Sequence, residues 1–365
     1  MRRTMSLLGV PRDVEKGGVA IETVHGFIGR LMLKLGVIDG YESFLEDYDA
    51  HKETLLNYLR SGTVTAEDLG EIMRADATEF DWDLVFVDEG QDWPGDEIAI
   101  LNAVYGPMRL IVSDGIDQYV RHSVADWTSG LPKGNSRTRR MRKCLRMKAN
   151  VASFVADVAM RLGLDDWDLE PNVDAGGGRI IIYDGDLTIQ PDRIAGLVKE
   201  ARKLGNFPVD MLACVPPGSV VRTAHGPGSA AAEAYAAMGG KVWDGTARDV
   251  REAYPTDREE LRFVQYDSCR GLEGWSVVNY DLDQLWDYKA RQWEAEGRDH
   301  DPLIETREEA AARHAARWVM IPLTRAIDTL VIGLGTAPGP LRSVLRRVAD
   351  QHPDFVEWVE LPHVE

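Results

Sequence analysis

Two adjacent acids, Asp88 and Glu89, close the apolar run Leu84-Val85-Phe86-Val87 with nothing in between. Held side by side at the end of a rigid element, the first carboxylate can bind a divalent cation. The second can orient and deprotonate a water molecule. Gln91 and Asp92 follow at a particular spacing, so that Trp82 to Trp93 reads WDLVFVDEGQDW. An apolar run with β-branched and aromatic members, unbroken by polar alternation, predicts a central parallel strand covered on both faces. Ligands of such sheets sit beyond the carboxyl ends of the strands, where the two acids fall. Two acids in that place are also how an ordinary solvated turn begins.

The surrounding chain supplies the elements such a strand needs. Val19 to Thr23 reads as a short strand, followed by a helix to about Leu35. Residues 36–78 are acidic and helical in pattern, with Leu45, Tyr48, Leu55, Leu56 and Leu59 at helical spacing. A helix over 97–104 precedes a second buried strand at 108–112. Lys133-Gly134-Asn135-Ser136 is the best linker, predicting domains at 1–135 and 136–365, with helical insertions at about 36–78 and 285–317. In the second domain, strands are expected at 179–183, 209–215, 261–266, 277–282 and 330–334. Helices are expected at 150–162, 194–204, 230–238 and 308–319. Strands alternating with helices predict an α/β fold with parallel sheets. Gly176-Gly177-Gly178 lacks a following Lys-Ser or Lys-Thr and reads as a turn, not a phosphate loop.

Composition narrows the function classes. The 365 residues carry a formal net charge of −18 and are 44% hydrophobic, enough for two cores. That charge argues against a surface coated for nucleic acid, yet it leaves room for a local basic groove. Between Lys133 and Lys148 stand Arg137, Arg139, Arg140, Arg142, Lys143 and Arg146, with no acid among them. No apolar run is long enough to span a membrane, and the N-terminus does not read as a signal peptide. Cys144, Cys214 and Cys269 support neither a disulfide framework nor a zinc site, so a reducing cytoplasm is expected.

The string Asp-Glu-x-Gln-Asp resembles motif II of the UvrD/Rep-like superfamily 1 DNA helicases, in which an apolar strand ending in Asp-Glu is the Walker B element. Five further segments resemble that family in its order, from about residue 19 to 335. Thr23-Val24-His25-Gly26-Phe27 is similar to motif Ib, which implies that Thr23 and His25 approach single-stranded DNA. Leu110 to Arg121 is similar to motif III, with Gln118 as γ-phosphate sensor, although Ser113 and Asp114 depart from the pattern. Tyr119 and nearby Trp127 are stacking candidates for bases. Arg142 to Lys148 resembles motif IV, with Leu145 in place of an aromatic and Arg146 aligned with an arginine that reaches the γ-phosphate. Arg142 is a DNA-contact candidate. Tyr266 to Val278 contains Arg270-Gly271-Leu272-Glu273, similar to motif V, whose glycine turns near phosphates and whose Glu accepts a ribose hydroxyl. Trp318 to Leu330 resembles motif VI through Thr324-Arg325-Ala326, with Arg325 as an arginine finger; read by itself, Arg325 also suits a helix cap.

The resemblance implies two RecA-like parallel-sheet domains, the first incomplete. ATP and Mg²⁺ would be the cofactors, with Asp88 on the metal. Single-stranded DNA or a single-strand/duplex junction would be the partner. It implies helicase or translocase activity driven by ATP hydrolysis at an inter-domain cleft. One element is missing: no Gly-x-x-x-x-Gly-Lys-Ser/Thr occurs. Gly239-Gly240-Lys241-Val242 is the nearest string and lacks the hydroxyl. Only 22 residues precede Thr23, too few for that loop with its strands and helix, so hydrolysis by this chain alone is expected to be negligible. Two readings follow. In the first, the chain is most of a DNA translocase whose P-loop comes from elsewhere, with a P-loop-bearing chain or a nuclease as candidate protein partners. In the second, it is a non-hydrolysing helicase-like module that binds DNA or a partner.

Overall fold

The computed structural model describes residues 9–11, 17–41, 44–114, 126–128, 131–132, 134–165, 167–223, 226–251, 254–297, 305–335 and 338–362. The chain separates into two compact units, Met1–Arg139 and Arg140–Glu365.

In the first unit, helices α1 (Val24–Lys34), α2 (Tyr48–Ser61), α3 (Ala66–Ala75) and α4 (Ala77–Phe80) precede strand β1 (Val85–Val87). Helix α5 (Gly95–Tyr105) and strand β2 (Leu110–Val112) follow. Thr65 and Asp68 form a reciprocal capping box that fixes the start of α3. Phe27, Leu31, Leu55, Phe80, Val87, Ile100 and Leu101 share one core, so the acidic helical segment and the Asp-Glu strand belong to the same packed body.

β1 and β2 pair in parallel, with Phe86 opposite Ile111. Only Val87 of β1 is fully buried, and Phe86 is 63% exposed. The expectation of a strand covered on both faces is therefore corrected. Among the described residues the sheet has two strands, and nothing is laid over its Phe86–Ile111 face. The strand expected at 19–23 is also absent. Thr23 instead caps α1, its hydroxyl accepting from the Gly26 amide at 3.1 Å, because a threonine oxygen satisfies an amide that the first helical turn leaves open.

The second unit is built on strands β3 (Arg179–Asp184), β4 (Met211–Val215), β5 (Val220–Thr223), β6 (Gly226–Ser229), β7 (Val242–Asp244), β8 (Leu261–Gln265), β9 (Gly274–Asn279), β10 (Ala326–Leu334) and β11 (Val356–Glu360). Seven of them form one parallel sheet in the order β11-β3-β10-β9-β4-β8-β7; β5 and β6 make a separate antiparallel hairpin. Its helices are α6 (Ala149–Arg161), α7 (Pro191–Lys203), α8 (Ala230–Ala237), α9 (Arg248–Arg251), α10 (Leu282–Ala295), α11 (Arg307–Leu323) and α12 (Pro340–Gln351).

The inner strands are predominantly apolar because both faces are covered. On one face Ile181, Ala213, Phe263, Val278 and Val331 meet Leu197 of α7 and Tyr235 of α8. α6 and α11 lie against β10, and α10 packs along α11. β11 and the Gly/Pro-rich β6 complete the sheet edge and the hairpin. Gly178 is held at φ +94, where an added Cβ would stand 2.9 Å from Val151. The triple glycine is thus a tight turn whose carbonyls receive Asn150.

Candidate functional site

In the second unit, the turn over residues 266–273 and the C-terminal end of α11 meet at the amino edge of the sheet. Glu273 and Gly274 lie where the turn enters β9, and the peptide joining them is gripped from two directions. The Glu273 carbonyl accepts from Arg262 Nη2 at 2.7 Å, and the Gly274 amide donates to the Arg325 carbonyl at 3.1 Å. A Cβ on Gly274 would lie 2.8 Å from the Ser276 carbonyl, so glycine is required there. Gly271, at φ +73, makes the preceding reversal in a region that favours glycine.

Arg262 was not singled out from the sequence. It lies in β8 and is 4% exposed. Its guanidinium also donates to the Met211 carbonyl at 3.2 Å and to the Tyr254 hydroxyl at 3.1 Å. The available signal was a charged residue inside an otherwise apolar strand.

With its backbone anchored, the Glu273 side chain projects outward. Its Oε2 pairs with Arg146 Nε at 3.1 Å, and both side chains are about half exposed. Arg146 belongs to the segment leading into α6. Two residues later Lys148 ion-pairs with Asp328, and its amide donates to the Ile327 carbonyl at 2.8 Å. The segment at 142–148 is thereby stitched to the start of β10. An exposed guanidinium beside a carboxylate offers a cation for phosphate and an acceptor for a ribose hydroxyl, so the pair fits the nucleotide that the resemblance implies.

Arg325 and Thr324 are placed differently. Pro322 sits in the last turn of α11, where the helix ends. Arg325 is 3% exposed, its Nε donating to the Ile321 carbonyl at 3.0 Å and its Nη2 to Thr324 Oγ1 at 2.9 Å. The Thr324 hydroxyl donates to the same Ile321 carbonyl at 2.8 Å. Both side chains cap their own helix in this conformation. Cys214 and Cys269 lie buried nearby. Burial pushes the Cys214 thiol well above its ordinary range, with the neighbouring Cys269 thiol second and Arg325 and Arg262 opposing.

The basic run is partly neutralised. Arg142 Nε pairs with Asp168 at 2.9 Å and Lys143 Nζ with Asp174 at 2.8 Å, while Lys143 and Glu170 form a parallel β-bridge. An acidic strand partner therefore stands beside the DNA-contact candidate Arg142.

In the first unit, Asp88 is exposed at the end of β1, and Glu89 adopts φ 52. Asp88 Oδ1 accepts from the Glu89 amide at 3.1 Å, and Glu89 Oε2 accepts from Gln91 Nε2 at 2.6 Å. The turn is fixed by Gly90, whose amide donates to the Ser113 carbonyl at 2.8 Å. The Gly90 carbonyl accepts from Trp127 Nε1 at 2.9 Å. Trp127 also meets Trp93 edge-on at 5.4 Å, which engages this stacking candidate in packing beneath the acids. His25 is exposed and lies 4.6 Å from the Tyr48 ring. Gln118 and Tyr119 lie outside the described residues.

Among the described residues, no group of three or more His, Cys, Asp or Glu could hold a metal ion. Asp88 presents one carboxylate, which suffices only for a Mg²⁺ whose other ligands are phosphates and waters. No helix of the described residues is long and apolar enough to cross a membrane.

No family model matches the sequence, and no curated protein matches it. Among solved structures, the C-terminal domain of a possible DNA helicase from Lactobacillus plantarum WCFS1 is similar, with a TM-score of 0.33 and 12% identity. The likeness covers 59% of this chain and 99% of that domain, and is too remote to argue from.

Proposed function

We propose that the chain is part of a UvrD/Rep-type DNA translocase, in which Arg146 and Glu273 contact ATP and Asp88 and Glu89 serve Mg²⁺ and the attacking water. The observation that carries this reading is the Arg146–Glu273 pair. Two segments far apart in sequence, each singled out for nucleotide contact, present a cation and an acceptor 3.1 Å apart on an immobilised backbone. The guanidinium would neutralise phosphate charge and the carboxylate would hold the sugar. ATP is the group whose phosphoanhydride supplies the free energy, and Mg²⁺ would be held at Asp88. Glu89 would take the proton of the attacking water.

The residues present lack the Lys and hydroxyl of a P-loop, so turnover requires those groups from another segment or chain. The test is binding of a fluorescent ATP analogue with Mg²⁺ to the wild type, Arg146→Ala and Glu273→Gln. DNA-stimulated hydrolysis is then measured with and without an added P-loop-bearing polypeptide. Weaker binding in both variants, with turnover only when the P-loop is supplied, is the expected result. Binding unchanged in both variants would overturn the proposal.

A second reading, a helicase-like module that binds without hydrolysis, draws on the burial of Arg325 against its own helix. An Arg325→Lys variant that binds the analogue and DNA as the wild type does, under conditions where no P-loop restores turnover, would favour it.

A further inference from the structure

Midway along α10 a lysine occupies a place where the spacing calls for an apolar side chain. Leu282, Leu285, Trp286, Lys289 and Trp293 recur at intervals that put them on one buried face of the helix. The Lys289 side chain is only 3% exposed, and its Nζ pairs with Asp267 Oδ1 at 2.8 Å. The ammonium also lies 3.5 Å from the centre of the Trp318 ring of α11 and donates to Gln292 Oε1 at 3.4 Å. Taking an ammonium out of water carries a desolvation cost that an aliphatic side chain at this position avoids. What the lysine gains in return is a hold on Asp267.

Asp267 lies in the single turn Tyr266–Ser268, which opens the reversal leading from β8 to Glu273. The far end of that reversal is tied by Arg262 at the Glu273 carbonyl and by the Arg325 carbonyl at the Gly274 amide. At the near end the Tyr266 hydroxyl donates to the Tyr280 carbonyl at 2.6 Å, and Arg251 bonds the Ser268 hydroxyl. Between the two ends the Cys269 amide donates to the Tyr266 carbonyl at 3.2 Å and the Leu272 amide to the Cys269 carbonyl at 3.1 Å. A displacement at Asp267 is therefore passed through short backbone bonds to Leu272 and Glu273. The tie from Lys289 brings α10 and α11 into this framework, so the reversal is placed by those helices as well as by the sheet.

We propose that Lys289 is a positioning residue: by holding Asp267 it sets the reversal over 266–273, and with it the direction in which Glu273 presents its carboxylate to a ribose. The inference rests on the nucleotide reading of Glu273 given above and adds to it a residue from outside the helicase-like segments. Lys289 does not touch the nucleotide. Its effect falls on recognition of the sugar, because Arg146, on the separate segment leading into α6, keeps its own hold on phosphate. Losing Lys289 thus separates the two halves of the site.

The experiment measures how well ATP and 2′,3′-dideoxy-ATP displace a fluorescent ATP analogue from the full chain in the presence of Mg²⁺. The variants are Lys289→Met, Asp267→Ala and Asp267→Glu. The Asp267 side chain is 43% exposed, so its variants carry the test even if Lys289→Met does not fold. The wild type is expected to prefer ATP by about tenfold, as for a hydrogen bond to a carboxylate. Lys289→Met and Asp267→Ala should lower that preference to about twofold or less and leave affinity for the dideoxy nucleotide nearly unchanged. Asp267→Glu keeps the carboxylate and should keep the preference. A general loss of stability weakens both nucleotides together and leaves their ratio standing. Variants that retain the wild-type ratio, or an Asp267→Glu variant as impaired as Asp267→Ala, overturn the role of Lys289 and leave the nucleotide reading in place. A wild type that binds neither nucleotide, or both equally, overturns the ribose contact of Glu273 and this inference with it.

Discussion

Arg146 Nε stands 3.1 Å from Glu273 Oε2, on an ion pair whose two side chains remain about half exposed. Exposed pairs of this kind contribute about 0–1 kcal/mol to stability. The pair therefore adds little to holding the unit together. Arg146→Ala should leave the unfolding midpoint of the second unit nearly unchanged while weakening nucleotide binding about tenfold, as expected for loss of a charge-assisted contact. Calorimetry and titration on the same sample check both halves of the prediction.

Arg262 should behave in the opposite way. Its guanidinium is buried and serves two carbonyls and a phenol. Replacement by Met leaves those carbonyls without their donor and is expected to destabilise the second unit by about 2–4 kcal/mol. The Glu273–Gly274 peptide would lose one of its two restraints, so chemical denaturation should show the loss and amide exchange at Gly274 should quicken.

Asp281 gives the fold a pH dependence. It follows β9 at φ 47 and is 8% exposed. Burial, reinforced by Asp186 and Asp283, pushes its carboxyl from 3.8 up to about 7. The folded state therefore holds this proton more tightly than the unfolded chain does. The contribution is fully present below about pH 4 and is lost as pH rises to about 7. The loss is at most about 4 kcal/mol. Asp281→Asn should flatten that part of the stability–pH curve and make the variant more stable than the wild type above pH 7. Parallel curves for the two proteins between pH 4 and 8 would contradict the assignment.

Gly90 tests the geometry under the acids. A Cβ there would lie 2.3 Å from Val112 Cγ1 and 3.1 Å from Trp127 Nε1. Gly90→Ala must push the turn away from β2, at a cost of about 1–3 kcal/mol to the first unit. The Trp127–Gly90 hydrogen bond should be lost, which can be followed through the Trp127 indole proton by NMR.

The sequence itself determined the α/β alternation and the inner strands of the large sheet, because coverage on both faces is written as unbroken apolar composition in 180–183, Met211–Val215 and 330–334. It also determined where reversals need glycine, at Gly271 and Gly178, and it marked Arg146 and Glu273 as residues for one ligand. The strand placed at 19–23 failed because Thr23 serves a helix cap, a local bond that leaves no trace in apolar periodicity.

Tertiary structure alone decided which of the marked side chains face outward. Arg146 and Arg325 have the same chemistry, yet one projects beside Glu273 and the other folds back onto the Ile321 carbonyl. Phe86 reads as core and stands exposed because few strands lie beside it among the described residues. Exposure, pairing and the clamp from Arg262 are properties of neighbours brought together by folding from distant positions. A side chain's type fixes what it can do, and only the packing around it fixes what remains free to act.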